Sequence, residues 1–339
     1  MNKFMLFATT ALVALGTSFP VLADSSTITQ SGETTGYAAQ HQAGGNSDTA
    51  TIVQQSGSND QATQEQGRGF DGHDFASLGN QSISQTSNAW ASANQEDNST
   101  AASQSITQIT NNASTATQTV NNESGAYNTQ SAAQTGNSYS SVTQTNGQYA
   151  TSTASGWNNT QTATQNGQYV SSISQTIDGA STSNVQTATQ NTGGIGNKIS
   201  TFIENGSSNN VSQTQDVSAI GNTQTANINA SAANTVEQYQ GQYASANTQT
   251  ITVGDYTGAS NNGVARQYQA FGVTGDSQTI TQDGGGAYNQ AGQSQGSSGN
   301  FETITQTGGT GNIAIQNQGI SNGGSGFMYV NGSSQVSHY

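Results

Sequence analysis

The chain has 339 residues, of which 30% are hydrophobic and 6% charged, with 41 Gly, one Pro and no Cys; ordinary globular domains carry about 45–50% apolar and about 25% charged residues, so a thick core is excluded. The lack of Cys rules out a disulfide framework and thiol chemistry, and four basic residues against eighteen acidic ones argue against nucleic acid, whose phosphates need clustered Lys and Arg. A net charge of −14 is small for this length, and the 42 Gln leave two classes: a disordered polar chain, or a cross-β stack with Gln and Asn ladders.

Residues 1–23 read as a secretory signal peptide. Met1, Asn2 and Lys3 supply a positive start, Phe4 to Gly16 is apolar, and the segment closes on Val21-Leu22-Ala23, with small residues at the places a signal peptidase reads. The apolar run is shorter than the roughly 20 residues a membrane span needs. The expected mature chain is cut after Ala23 and secreted.

Beyond it the chain repeats short polar phrases with one small apolar residue at the centre; QTATQ stands at both 161–165 and 186–190. Such a phrase has the period of a strand. Gln161, Ala163 and Gln165 share one face, and Thr162 and Thr164 share the other. Ser and Thr suit a half-buried extended surface, and the three-and-four spacing of a helix is missing. Turn residues follow many phrases, among them Gly136-Asn137, Asn166-Gly167 and Asp178-Gly179, as strand ends require.

Seven Gln pairs are ten residues apart: Gln30/Gln40, Gln54/Gln64, Gln85/Gln95, Gln108/Gln118, Gln134/Gln144, Gln165/Gln175 and Gln306/Gln316. Chance placement of this many Gln would give about five such pairs, so the flanks decide. Two residues before each of the fourteen stands Ile, Val or Ala, types that make up roughly a fifth of the chain.

Strands opening successive units are predicted to end near Gln30, Gln54, Gln85, Gln108, Gln134, Gln165, Gln190, Ile228, Val253, Gln282 and Gln306, in steps of 23 to 38 residues. Ile228 and Val253 read as degenerate positions, and Glu204 as a replacement for a second Gln. The stretch 65–79 reads as a loop, as do parts of 205–222 and 254–277. The predicted fold is all-β: a cross-β, amyloid-like β-solenoid of about eleven stacked strand-turn-strand repeats over 24–320. A tail at 321–339 carries Phe327-Met328-Tyr329-Val330 as a candidate capping strand. Stacking answers the thin-core problem, since a two-stranded unit cannot hide its inner face alone. The predicted self-assembly ladder is those fourteen paired glutamines with Gln190 and Gln282, all facing inward in one pile.

These residues resemble the curlin repeat, Ser-x5-Gln-x-Gly-x-Gly-Asn-x-Ala-x3-Gln. The nearest stretch, QTGGTGNIAIQ from Gln306 to Gln316, holds Gly308, Gly311, Asn312 and Ala314; QSAAQTGNSYSSVTQ at 130–144 holds Gln134, Gly136, Asn137 and Gln144. The spacing to the second Gln is compressed relative to the family, and familiar curlins have about five repeats. The resemblance implies a secreted subunit of curli, the amyloid fibres of Gram-negative biofilms. Its implied partners are copies of itself, a nucleator subunit and an outer-membrane secretion pore.

Sharper chemistry finds little footing. His41, His73 and His338 are far apart in sequence, so no catalytic constellation forms and no enzyme activity or cofactor is expected. Asp71-Gly72-His73-Asp74 lacks a second ligand cluster and reads as an exposed loop, not a metal site. GGIGNKI at 193–199 and GGTGNIAI at 308–315 echo a calcium-binding repeat, but Asn stands where Asp is needed. Pairs such as Thr162/Thr164 and Thr279/Thr281 would stack in outward ranks, which keeps a monomeric surface- or ice-binding solenoid as the alternative to a fibre subunit, nucleator or adhesin.

Overall fold

The computed structural model describes the chain from residue 25 to 338, except for 33–34, 43–47, 67–78, 100, 121–126, 149–156, 180, 255–261, 284–285, 319–324 and 332–334. For 148, 318, 325–331 and 335–338 it describes the backbone alone. The predicted signal peptide, most of the predicted loop at 65–79 and the Asp71–Asp74 string lie outside the described residues.

Strands follow one another along the chain. The first rungs are β1 (Ser25–Ser31) and β2 (Tyr37–Gln42), β3 (Thr49–Gln55) and β4 (Gln61–Gln66), β5 (Asn80–Thr86) and β6 (Ser92–Asp97), and β7 (Ser103–Ile109) and β8 (Thr115–Val120). Next come β9 (Thr129–Thr135) and β10 (Ser141–Gln148), β11 (Thr160–Asn166) and β12 (Ser172–Asp178), β13 (Val185–Gln190) and β14 (Lys198–Glu204), and β15 (Asn210–Gln215) and β16 (Thr223–Asn229). The last are β17 (Thr235–Gln240) and β18 (Thr248–Val253), β19 (Val264–Gln269) and β20 (Ser277–Asp283), β21 (Gln290–Gln295) and β22 (Phe301–Thr307), β23 (Ile313–Gln318) and β24 (Ser325–Asn331), and finally β25 (Gln335–His338).

Odd-numbered strands form a 13-stranded parallel sheet and even-numbered strands a 12-stranded one. The protein is therefore a β-solenoid. From β3 onward each strand lies on the strand two before it, as Gln161 on Gln130 and Gln186 on Gln161, with a register shift between Asn146 and Gln148 where β12 meets β10. The alternation of burial is regular: in β11, TQTATQN, Gln161, Ala163 and Gln165 are buried and the residues between them half-buried. With three inward side chains per strand, polar and apolar residues must share a narrow interior, which is how a lean composition builds a core.

The arcs turn on left-handed residues three apart, as at Ser87 and Trp90, Gly136 and Tyr139, and Gly167 and Val170. Single parallel bridges link successive arcs, for example Ser138 to Tyr169 and Tyr169 to Ile195. The GQY tyrosines Tyr169 and Tyr243 therefore sit on the arcs, about half exposed. Tyr169 packs edge-on against Tyr139, and Tyr243 against Phe271.

Three readings of the sequence are corrected here. Parts of 205–222 and 254–277 are expected to loop out; of these segments, 210–215 and 264–269 are regular strands, β15 and β19. Ile228 and Val253 are not degenerate members of the Gln190 row. They belong to the other sheet, where Ile177, Ile203, Ile228 and Val253 stack in line. The apparent step of 38 residues from Gln190 to Ile228 conceals β15, and the described strands make twelve rungs and one further strand. Glu204 faces outward; the inward residue at the centre of β14 is Thr201.

The cause is a change of phase. Up to β13 the 13-stranded sheet is centred on apolar residues (Ile52, Ile83, Ile106, Ala132, Ala163, Ala188) and the other sheet on Gln. Then β14 and β15 follow each other with polar centres, Thr201 and Gln213. From β16 onward apolar centres (Ala226, Ile251, Ile280, Ile304) lie in the 12-stranded sheet and Gln centres in the other. The apolar core accordingly falls into two clusters, one from Ile52 to Ile199 and one from Ile177 to Ala314.

Candidate self-assembly ladders

The longest column occupies the third inward position of the 13-stranded sheet. Each Gln Nε2 donates to the Gln Oε1 one rung on: Gln30 to Gln54 at 2.5 Å, Gln54 to Gln85 at 2.7 Å, and Gln85 to Gln108, Gln108 to Gln134, Gln134 to Gln165 and Gln165 to Gln190 at 2.8 Å. The column crosses the phase change intact, through Gln190 to Gln215 at 2.9 Å and on to Gln295. The amide's second N–H reaches across the core in several rungs, as from Gln54 to the Tyr37 carbonyl and from Gln85 to the Gln61 carbonyl, both at 3.1 Å.

Six of the seven partners ten residues later, Gln40 to Gln175, form a separate column at the centre of the 12-stranded sheet. Gln40 donates to Gln64 at 2.7 Å, and the chain of bonds runs through Gln95, Gln118 and Gln144 to Gln175. Gln64, Gln95, Gln118, Gln144 and Gln175 each also donate to a backbone carbonyl of the facing sheet at 3.0–3.1 Å. Gln282 and Gln306 form a third column, bonded at 2.8 Å, and Gln316 ends a fourth that starts at Gln213. The predicted ladder residues thus lie in four columns along the single pile of rungs. Those whose side chains are most exposed, Gln30 and Gln40, belong to the first rung.

Two further sets escaped the sequence reading. Gln81, Gln104, Gln130, Gln161 and Gln186 make their own column at the first inward position. Its signal was present, since the first Gln of QTATQ has the same parity as the last. Asn residues line the arcs: Asn111 N–H donates to Asn88 Oδ1 at 2.8 Å and Asn137 N–H to Asn111 Oδ1 at 2.9 Å. On the opposite edge Asn128, Asn159, Asn184, Asn209 and Asn234 repeat the arrangement. A side chain that mimics a backbone acceptor holds each turn to the next.

A net hydrogen bond is worth about 1 kcal/mol, while a buried amide left without its partner costs about 1–3 kcal/mol. The columns therefore act less as glue than as a filter on what can stack. A carboxylate is conspicuous here: Asp97 is fully buried at the end of β6. Burial pushes its carboxyl up to about 7, with the Asp48 charge adding to the rise and hydrogen bonds from the Ser99 hydroxyl and N–H opposing it.

The end of the stack differs from its interior. Ile28, at the centre of β1, is 42% exposed, whereas Ile52 and Ile83 in line with it are fully buried. Among the described residues no cluster of three His, Asp or Glu could hold a metal. No family model and no curated protein matches the chain.

Proposed function

We propose that the chain is a secreted, non-catalytic structural subunit that polymerises into curli-like extracellular fibres on the surface of a Gram-negative bacterium, serving biofilm cohesion and adhesion. Its principal partner is another copy of itself, and the curlin resemblance adds a nucleator subunit and an outer-membrane pore. The observation that carries the reading is the first rung. Among the described residues β1 is paired on one side alone and its central Ile28 is 42% exposed, at the end of a column whose amides all donate in one direction. The strand edges at the two ends offer backbone N–H and C=O groups that can pair with the opposite end of another copy. Heterologous ends do not close on themselves, and a filament grows.

The test uses the purified mature chain. A fibre subunit gains β circular dichroism and thioflavin fluorescence after a lag that shortens with concentration; a solenoid showing both at once with no concentration dependence refutes polymerisation, and a chain never gaining them refutes the fold. Deletion of the gene should abolish surface fibres. A second reading has one observation in its favour: Thr250/Thr252, Thr279/Thr281 and Thr303/Thr305 stand in line on three successive rungs. A monomeric ice-binding solenoid would show freezing hysteresis, and a fibre subunit none.

A further inference from the structure

The two ends of the solenoid are not alike in chemistry. At the first rung the 13-stranded sheet is centred on apolar Ile28 and the 12-stranded sheet on Gln40. At the last rungs the order is reversed: the 12-stranded sheet is centred on Ile304 with Met328 in register beyond it, and the 13-stranded sheet on Gln316 with His338 beyond it. Resting on the fibre reading above, we infer that successive copies join head to tail with a half-turn about the fibre axis, so that β1 of one copy adds to β24 of the copy before it and β2 adds to β25.

Two observations lead there independently. The first is the register of side-chain types. With the half-turn, the central Ile28 falls in line with Met328 and the central Gln40 in line with His338, apolar on apolar and polar on polar, while at the third position Gln30 falls in line with Val330 and its column stops at the junction. Without the half-turn, Ile28 meets His338 and Gln40 meets Met328. Among the described residues such a change of centre occurs only at the phase change, where Ala188 meets Gln213 and Thr201 meets Ala226. The second is strand parity. Among the described residues the solenoid both opens and closes in the 13-stranded sheet, with β1 and β25. The next half-rung along the coil therefore falls in the 12-stranded sheet, over β24. Docking without rotation would leave that position empty and two strand edges unpaired, which β structures avoid. A half-turn also preserves parallel pairing, because the strands of the two facing sheets run in opposite directions in space and the same way around the coil.

Cross-linking tests this in the full chain, which has no Cys of its own. Position 27 is outward on β1, in line with Thr51; position 327 is in line with outward Thr303, and position 337 with outward Ile315. Adjacent parallel strands place in-register Cα atoms about 4.8 Å apart, within disulfide reach. The ends of one copy are separated by twelve rungs, about 55 Å, so a bond between 27 and 327 must join two copies. Fibres of T27C/F327C should oxidise to a ladder of multimers that reduction returns to monomer, while T27C/S337C fibres stay monomeric on the same gel. An equimolar mixture of T27C and F327C chains should stop at dimers. The reverse pattern, or intact fibres in which neither pair links, overturns the half-turn and leaves polymerisation standing. Chains with unaltered β circular dichroism that form no fibres, with wild type equally unable, overturn polymerisation and the half-turn together.

Discussion

Thr201 stands in register with Gln175 in the 12-stranded sheet, and there the central amide column of that sheet ends. The Thr201 hydroxyl instead donates across the core to Gln213 Oε1, the first amide of the column that continues on the other side. One hydroxyl thus joins the two halves of the solenoid at the point where their chemistry changes places.

Removing that hydroxyl should tell. Thr201→Val keeps the shape but leaves Gln213 Oε1 buried without its donor, at a cost of about 1–3 kcal/mol. Thr201→Ser should retain most of the stability. Denaturant unfolding of the monomeric form measures both, and equal midpoints for the Val variant and wild type would refute the junction role.

Gln165 and Gln175 should not be equivalent. Gln165→Leu strands a donor on Gln134 and an acceptor on Gln190, whereas Gln175→Leu strands mainly the donor on Gln144, because Gln175 spends its own N–H on the Thr162 carbonyl. Both variants should slow fibre growth, and Gln165→Leu should lose more stability, by about 1–3 kcal/mol. Thioflavin kinetics beside denaturant unfolding check the order.

Asp97 should make stability depend on pH. Its folded carboxyl lies at about 7, above the roughly 3.9 of an unfolded Asp, so the folded state holds the proton more tightly. The contribution is fully present below about 3.9, declines as pH rises, and is lost once pH passes about 7. Wild type should therefore be more stable at pH 5 than at pH 9, and Asp97→Asn should remove most of that difference. A variant that keeps the full slope would place its origin elsewhere.

Val170 holds φ at 51° on an exposed arc, a left-handed conformation that disfavours β-branched residues and that Asn or Gly tolerate. Val170→Asn should raise stability by roughly 1 kcal/mol. Thermal unfolding gives the answer, and a lower midpoint would show that the valine contributes more by packing than it costs by strain.

The amino-acid sequence by itself determined the period of two, the inward side of every QTATQ-like phrase and the stacking of short units, because which side chains share a face depends only on local alternation. It therefore identified Gln165 and Gln175 as buried amides without knowing their neighbours. The tertiary structure alone decided that those two belong to different columns, that 210–215 and 264–269 are strands, and that the sheets exchange chemistry after β14. Both kinds of strand alternate identically, and the bonded glutamines of one column are 23 to 31 residues apart, across arcs of varying length. Pairing of that kind is chosen by register in three dimensions, where an extra strand of the same kind shifts all that follows to the opposite sheet and leaves the local pattern unchanged.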